Sequence, residues 1–118
     1  MKIKQELEKQ LKANGFKSME HAKLIKLEIL IQELIKWNKK FNLTSIDDPG
    51  EIITKHIIDS LQIIKNNRVS QCKTILDVGS GAGFPGFPIA IVLHGNKVTL
   101  MESSKRIWTF TYLKTEYT

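Results

Sequence analysis

Four glycines stand within eight residues in Asp77-Val-Gly79-Ser-Gly81-Ala-Gly83-Phe-Pro-Gly86, directly overlapping the end of the β-prone run Thr74-Ile-Leu-Asp-Val78. No other feature restricts the possible folds as much. Without a Cβ, backbone can turn sharply and let a ligand approach closely. A strand that ends in glycines and re-emerges as a helix lies where open parallel sheets bind ligands, at the carboxyl ends of their strands. Gly86–Leu93 reads as that helix, because Pro88 is tolerable in a first turn. His94-Gly-Asn96 reads as a turn and Lys97-Val-Thr-Leu-Met101 as a second strand. Ser103 or Ser104 is then placed to cap a last helix with Ile107, Phe110 and Leu113 on its inner face.

Glu102 follows the second strand, where a carboxylate can accept hydrogen bonds from two ribose hydroxyls. Free amides at the helix start are expected to receive an anionic group. Two cofactor classes share this layout. Gly81-x-Gly83-x-x-Gly86 with Glu102 satisfies the NAD(P) dinucleotide pattern. Asp77-x-Gly79-x-Gly81-x-Gly83 resembles instead the first motif of class I methyltransferases. In that register the strand ends in an acid and the glycines alternate directly from it, so the strand end favours S-adenosyl-L-methionine. A purely structural turn has little need for so many glycines.

The preceding residues carry helical periodicity. Ile3, Leu7 and Leu11 mark a first helix, ended by Asn14-Gly15. Ser18 is placed to cap a second helix, with Leu24, Leu27, Ile31 and Leu34 as its stripe and Ile25, Leu30 and Ile35 widening it. Trp37 and Phe41 could stack on bases but are expected to be core. Asp48-Pro-Gly-Glu51 reads as a third helix start, with Asp48 at the N-cap and Glu51 reaching back as in a capping box. Ile53, Ile57, Leu61 and Ile64 give that helix its buried face, and Asn66-Asn67 suits its end. The expected architecture is α/β: a helical N-terminal region over residues 1–70, then the opening β-α-β-α of a parallel sheet over 71–118.

Composition narrows the function classes. Eighteen Lys and Arg against 12 Asp and Glu give a net charge of +6, spread along the chain and suited to a polyanion such as nucleic acid. Lys39, Lys40, Lys105 and Arg106 are candidate phosphate contacts, although any single Lys is more often only a solvated face. Cys72 is the one cysteine, so neither a disulfide nor a cysteine-based zinc site is available, and a reducing compartment fits. His21, His56 and His94 lack metal spacing. The start of the chain is charged throughout, unlike a signal peptide. Phe84–Leu93 is too short and too interrupted to span a bilayer. The expectation is a cytoplasmic protein without a metal or a membrane partner. His56 and Asp59, three apart with Ser60 beside them, are either a polar stripe or a pair near the substrate.

A resemblance covers most of the chain. Trp37-Asn-Lys-Lys-Phe-Asn-Leu-Thr-Ser45, His56-Ile-Ile-Asp-Ser-Leu61 and Asp77–Pro88 stand in the order found in the bacterial 16S ribosomal RNA guanine-N7 methyltransferase family, also called glucose-inhibited division protein B. The resemblance implies a Rossmann-like class I methyltransferase sheet, S-adenosyl-L-methionine as methyl donor, and methylation of guanine N7 in 16S ribosomal RNA or the small ribosomal subunit. Family cofactor contacts fall on Gly79 and Phe84, and Gly81 and Glu102 join them from the reading of the loop. Phe87 departs from the small aliphatic residue expected there. The family's sheet should continue through further strands, so the chain is expected to be an N-terminal, truncated part. No nucleophile or acid–base pair stands out. The remaining readings are an NAD(P)-binding enzyme and a non-catalytic RNA-binding remnant.

Overall fold

A computed structural model describes residues 2–93 and 95–102. The helix read from Ser103 or Ser104, its apolar positions, and Lys105 and Arg106 lie outside the described residues. Helix α1, Ile3–Ala13, buries Leu7 and Leu11. It ends as its glycine predicts, with Gly15 at a φ of +90°. Helix α2 runs over His21–Phe41 and buries Leu24, Leu27, Leu30, Ile31 and Leu34. Two details differ from expectation. Ser18 does not cap α2, because Glu20 occupies that position and makes no side-chain cap. Phe16 and Met19 turn into the core first and delay the helix start. Ile25 faces outward instead of widening the stripe.

Asn42, in the left-handed conformation, ends α2. Asp48 then accepts the Glu51 amide at 3.1 Å, with Pro49 in the first turn, as the cap reading requires. The Glu51 carboxylate does not reach back to complete the box; it lies 3.4 Å from the Lys55 ammonium. Helix α3, Pro49–Ile52, passes into a wider π-helical stretch at Ile53–Ile58, then α4, Asp59–Gln62, and a tight turn at Ile63–Lys65. Ile52, Ile53, Ile57, Ile58 and Leu61 are all buried. Asn66 accepts from the Arg68 amide at 2.9 Å and opens a short helix α5, Asn67–Ser70.

Strand β1, Thr74–Val78, and strand β2, Lys97–Met101, pair in parallel, with Thr74 opposite Lys97 and Val78 opposite Met101. Helix α6, Gly86–Val92, links them. Its Phe87 and Ile91 join the side chains of α1, α2, α3 and α4 in one apolar core. Leu100 packs toward that side, whereas Leu76, Val78 and Met101 point away from it. The glycine turn between β1 and α6 is therefore anchored from below by the helical region. Among the described residues, no helix is long and apolar enough to cross a membrane.

Candidate cofactor site

The glycine turn sorts its own glycines. An added Cβ at Gly79 or Gly81 would meet nothing, and both residues have positive φ, +69° and +58°. At Gly83, with φ +103°, it would run into the Phe87 ring, and at Gly86 into Leu100 beside the Asp77 carboxylate. The first pair keeps space open, and the second pair lets α6 close on β1 and β2. Phe87 is buried and covers Gly83. Its departure from a small side chain is thus a packing feature.

Hydrogen bonds fix the turn on the strand ends. The amides of Gly79 and Ser80 donate to the Met101 carbonyl at 2.7 and 3.0 Å, and those of Gly83 and Phe84 to the Ser80 carbonyl at 3.0 Å. Gly81 donates to Oε1 of Glu102 at 2.8 Å. Gly86, at the start of α6, donates to Oδ2 of Asp77 at 2.9 Å, and the Phe87 amide to the Gly83 carbonyl at 2.6 Å. The expectation of free amides at the helix start is therefore corrected: those amides already have internal acceptors. The amide of Ala82 has no hydrogen-bond partner among the described residues.

Asp77 is consequently a brace between strand and helix. Burial raises its pKa, the Gly86 hydrogen bond opposes that rise, and the nearby Glu102 charge adds to it. Sequence reasoning took Asp77 as a marker of register and missed this role. The available signal was Pro85 at the N-cap, which supplies no side-chain acceptor, so one had to come from elsewhere.

Of the four sequence-selected residues, Gly79, Gly81 and Glu102 meet at the carboxyl ends of the two strands. Phe84 stands beside them and stacks on His56, with ring centroids 4.7 Å apart and planes 14° from parallel. His56 Nε2 lies 3.1 Å from the Thr44 hydroxyl. Thr44 is held in turn by its amide, which donates to Asn38 Oδ1 at 2.8 Å. The Ser60 hydroxyl donates to the His56 carbonyl. Burial lowers the pKa of His56, against a smaller upward pull from Asp59. His56 and Asp59 thus belong to a wall facing the glycine turn. Between the two lies a cleft of about 370 Å³, bordered by Thr44, Lys55, Asp59, Ser80, Gly81 and Phe84.

Trp37 and Phe41 are half-buried against the core and stacked on each other, 5.4 Å between centroids. The Lys40 ammonium lies 5.7 and 5.6 Å from their ring centres. Both rings therefore serve packing, as expected. Lys39 and Lys40 are exposed at the end of α2.

Residues 23–117 match the GidB family model, described as rRNA small subunit methyltransferase G. A protein of Clostridium botulinum (strain Eklund 17B / Type B) named ribosomal RNA small subunit methyltransferase G is 44% identical over 97 residues, 82% of this chain and 39% of its own length. One of the same name from the Clostridium botulinum strain ATCC 19397 is 45% identical over 93 residues, 78% of this chain and 38% of its own. Another, from Thermoanaerobacter sp. (strain X514), is 46% identical over 77 residues, 65% of this chain and 32% of its own. The chain thus spans about two fifths of the length of the curated relatives it matches.

Proposed function

The chain belongs to the rRNA small subunit methyltransferase G family, and from that premise we propose that residues 74–102 are the cofactor-binding β-α-β unit of a Rossmann-like, S-adenosyl-L-methionine-dependent methyltransferase. Its substrate is guanine N7 of 16S ribosomal RNA, presented by the RNA or the small ribosomal subunit in the cytoplasm. The observation that carries this reading is the open pair Gly79 and Gly81 beside the Glu102 carboxylate, at the ends of two parallel strands. A nucleoside would lie over the two glycines, its ribose hydroxyls donating to Glu102 and its thioether region passing Phe84.

The dinucleotide reading fits less well. It needs the second glycine of Gly81-x-Gly83-x-x-Gly86 to face a pyrophosphate at the helix start. Phe87 lies over Gly83, and the first amides of α6 are taken by Asp77 and Gly83.

When bound, S-adenosyl-L-methionine supplies an activated methyl group on a sulfonium. Guanine N7 already carries a lone pair, so the protein needs no general base. Its task is to hold donor and acceptor in line at near-attack distance. Gly81 contributes by fixing the Glu102 carboxylate, and His56 by supporting the Phe84 ring. The basic residues along the chain supply phosphate contacts that position RNA without choosing its sequence.

The test is transfer of a radiolabelled methyl group to undermethylated small subunits. One protein is this chain, and the other is this chain extended by the C-terminal part of the Clostridium botulinum relative. The extended protein is expected to label 16S ribosomal RNA at a guanine, released as 7-methylguanine on depurination. The short chain alone is expected to give no turnover. Label on another base, or none with either protein, overturns the reading.

A further inference from the structure

S-adenosyl-L-methionine ends in an amino acid, with an ammonium and a carboxylate that need partners of opposite charge. The glycine turn has little to offer the carboxylate, since every amide from Gly79 to Phe87 except that of Ala82 is engaged within the turn and its helix, or belongs to Pro85 and is absent. The cleft beside the turn carries what is missing. Lys55 and Asp59 stand four residues apart on the helix that faces the turn, and both border the cleft. Asp59 is exposed there, near enough for its charge to act on His56. The Lys55 ammonium is 3.4 Å from Glu51, and both side chains are more than half exposed. Such a pair is weak and can exchange its partner.

Ser80 adds an independent observation. It lies in the turn itself, borders the same cleft and is only 2% exposed. Its hydroxyl is buried without a hydrogen-bond partner among the described residues. Folded proteins rarely leave a buried hydroxyl unpaired, because it loses water and gains nothing in return. A ligand group in the cleft would supply the absent partner.

We propose that this cleft takes the amino-acid end of the cofactor, with Asp59 accepting from its ammonium and the Ser80 hydroxyl and Lys55 ammonium meeting its carboxylate. This assignment rests on the cofactor reading above. A zwitterion is matched by one acid and one base a helical turn apart, and the open side of Gly81 joins the cleft to the place where Glu102 would hold the ribose. His56 and Phe84 form the wall between.

Two ligands separate the parts of the claim. S-adenosylhomocysteine carries the amino-acid end, whereas 5′-methylthioadenosine has the same adenosine and thioether without it. Ligand-observed NMR titrations with this chain read both affinities even when weak. The parent is expected to prefer S-adenosylhomocysteine by about tenfold or more, the scale of hydrogen bonds to charged groups. Asp59→Asn and Ser80→Ala should each remove most of that preference and leave 5′-methylthioadenosine binding unchanged. Ser80→Ala should not lower the melting temperature, because its hydroxyl has no partner among the described residues to lose. No preference in the parent, or equal weakening of both ligands in the variants, overturns the assignment. Variants that keep the preference but weaken binding of guanosine monophosphate give the cleft to the acceptor base instead. If neither nucleoside binds the parent, the cofactor reading itself fails, and this proposal fails with it.

Discussion

At the scale of single residues, neighbouring glycines in one turn do different work. Gly83 combines a φ of +103° with the Phe87 ring where its Cβ would stand. Gly83→Ala is therefore expected to destabilise the chain by about 2–4 kcal/mol, the sum of left-handed strain and overpacking. Gly81 has a φ of +58° and open space, so Gly81→Ala should cost only about 1–2 kcal/mol while blocking the ligand side. Urea unfolding of the two variants compares them directly; equal losses would mean that Phe87 yields more easily than the packing suggests. The glycines were legible in the sequence as a tight turn between a strand and a helix. Their division into open and closed pairs was not, since it depends on Phe87 and Leu100, whose positions follow from the folded helix and sheet. The same holds for Ser80, which looks like an ordinary turn serine until its burial is known.

At the scale of elements, local signals were read well and non-local ones poorly. The stripe Leu24, Leu27, Ile31 and Leu34 came from spacing, and the Asp48 cap from the Asp-Pro pair at a helix start. Ser18 misled because any serine ahead of a helix resembles a cap, and only the inward turn of Phe16 and Met19 shows why the helix starts later. The wider stretch at Ile53–Ile58 was invisible, since Ile53, Ile57 and Leu61 keep an ordinary helical spacing. That stretch carries His56, and such bulges occur frequently at functional sites. Burial holds the His56 pKa below its ordinary 6.5. The unfolded chain thus takes up a proton that the folded chain resists. This contribution to stability is fully present above the unfolded value and is lost as the pH falls through 6.5 toward the folded value. Urea midpoints should drop between about pH 7.5 and about pH 5.5, and drop less in His56→Gln. Equal pH dependence in the two proteins would show that the ring titrates freely.

For the whole molecule, the helical region and α6 share one core on one side of the two strands. The other side of the sheet leaves Leu76, Val78 and Met101 exposed by 55%, 69% and 53%. Parallel sheets normally have both faces covered, and an apolar patch in water promotes association. The chain should therefore bind a hydrophobic dye and self-associate. Replacing Leu76, Val78 and Met101 together by Thr should reduce both, with helical circular dichroism retained. Unchanged dye binding in that variant would place the exposed apolar surface elsewhere. The order of helices and strands was legible at this scale because the periodicity changes sharply at Thr74. The exposed apolar face was legible only through the family resemblance, which implies further strands. On the proposed reading, Gly79, Gly81 and Glu102 hold an S-adenosyl nucleoside and not a dinucleotide. Isothermal titration calorimetry of the extended protein with S-adenosylhomocysteine and with NAD tests it most directly. Heat of binding is expected with S-adenosylhomocysteine and none with NAD; binding of NAD alone would overturn the assignment.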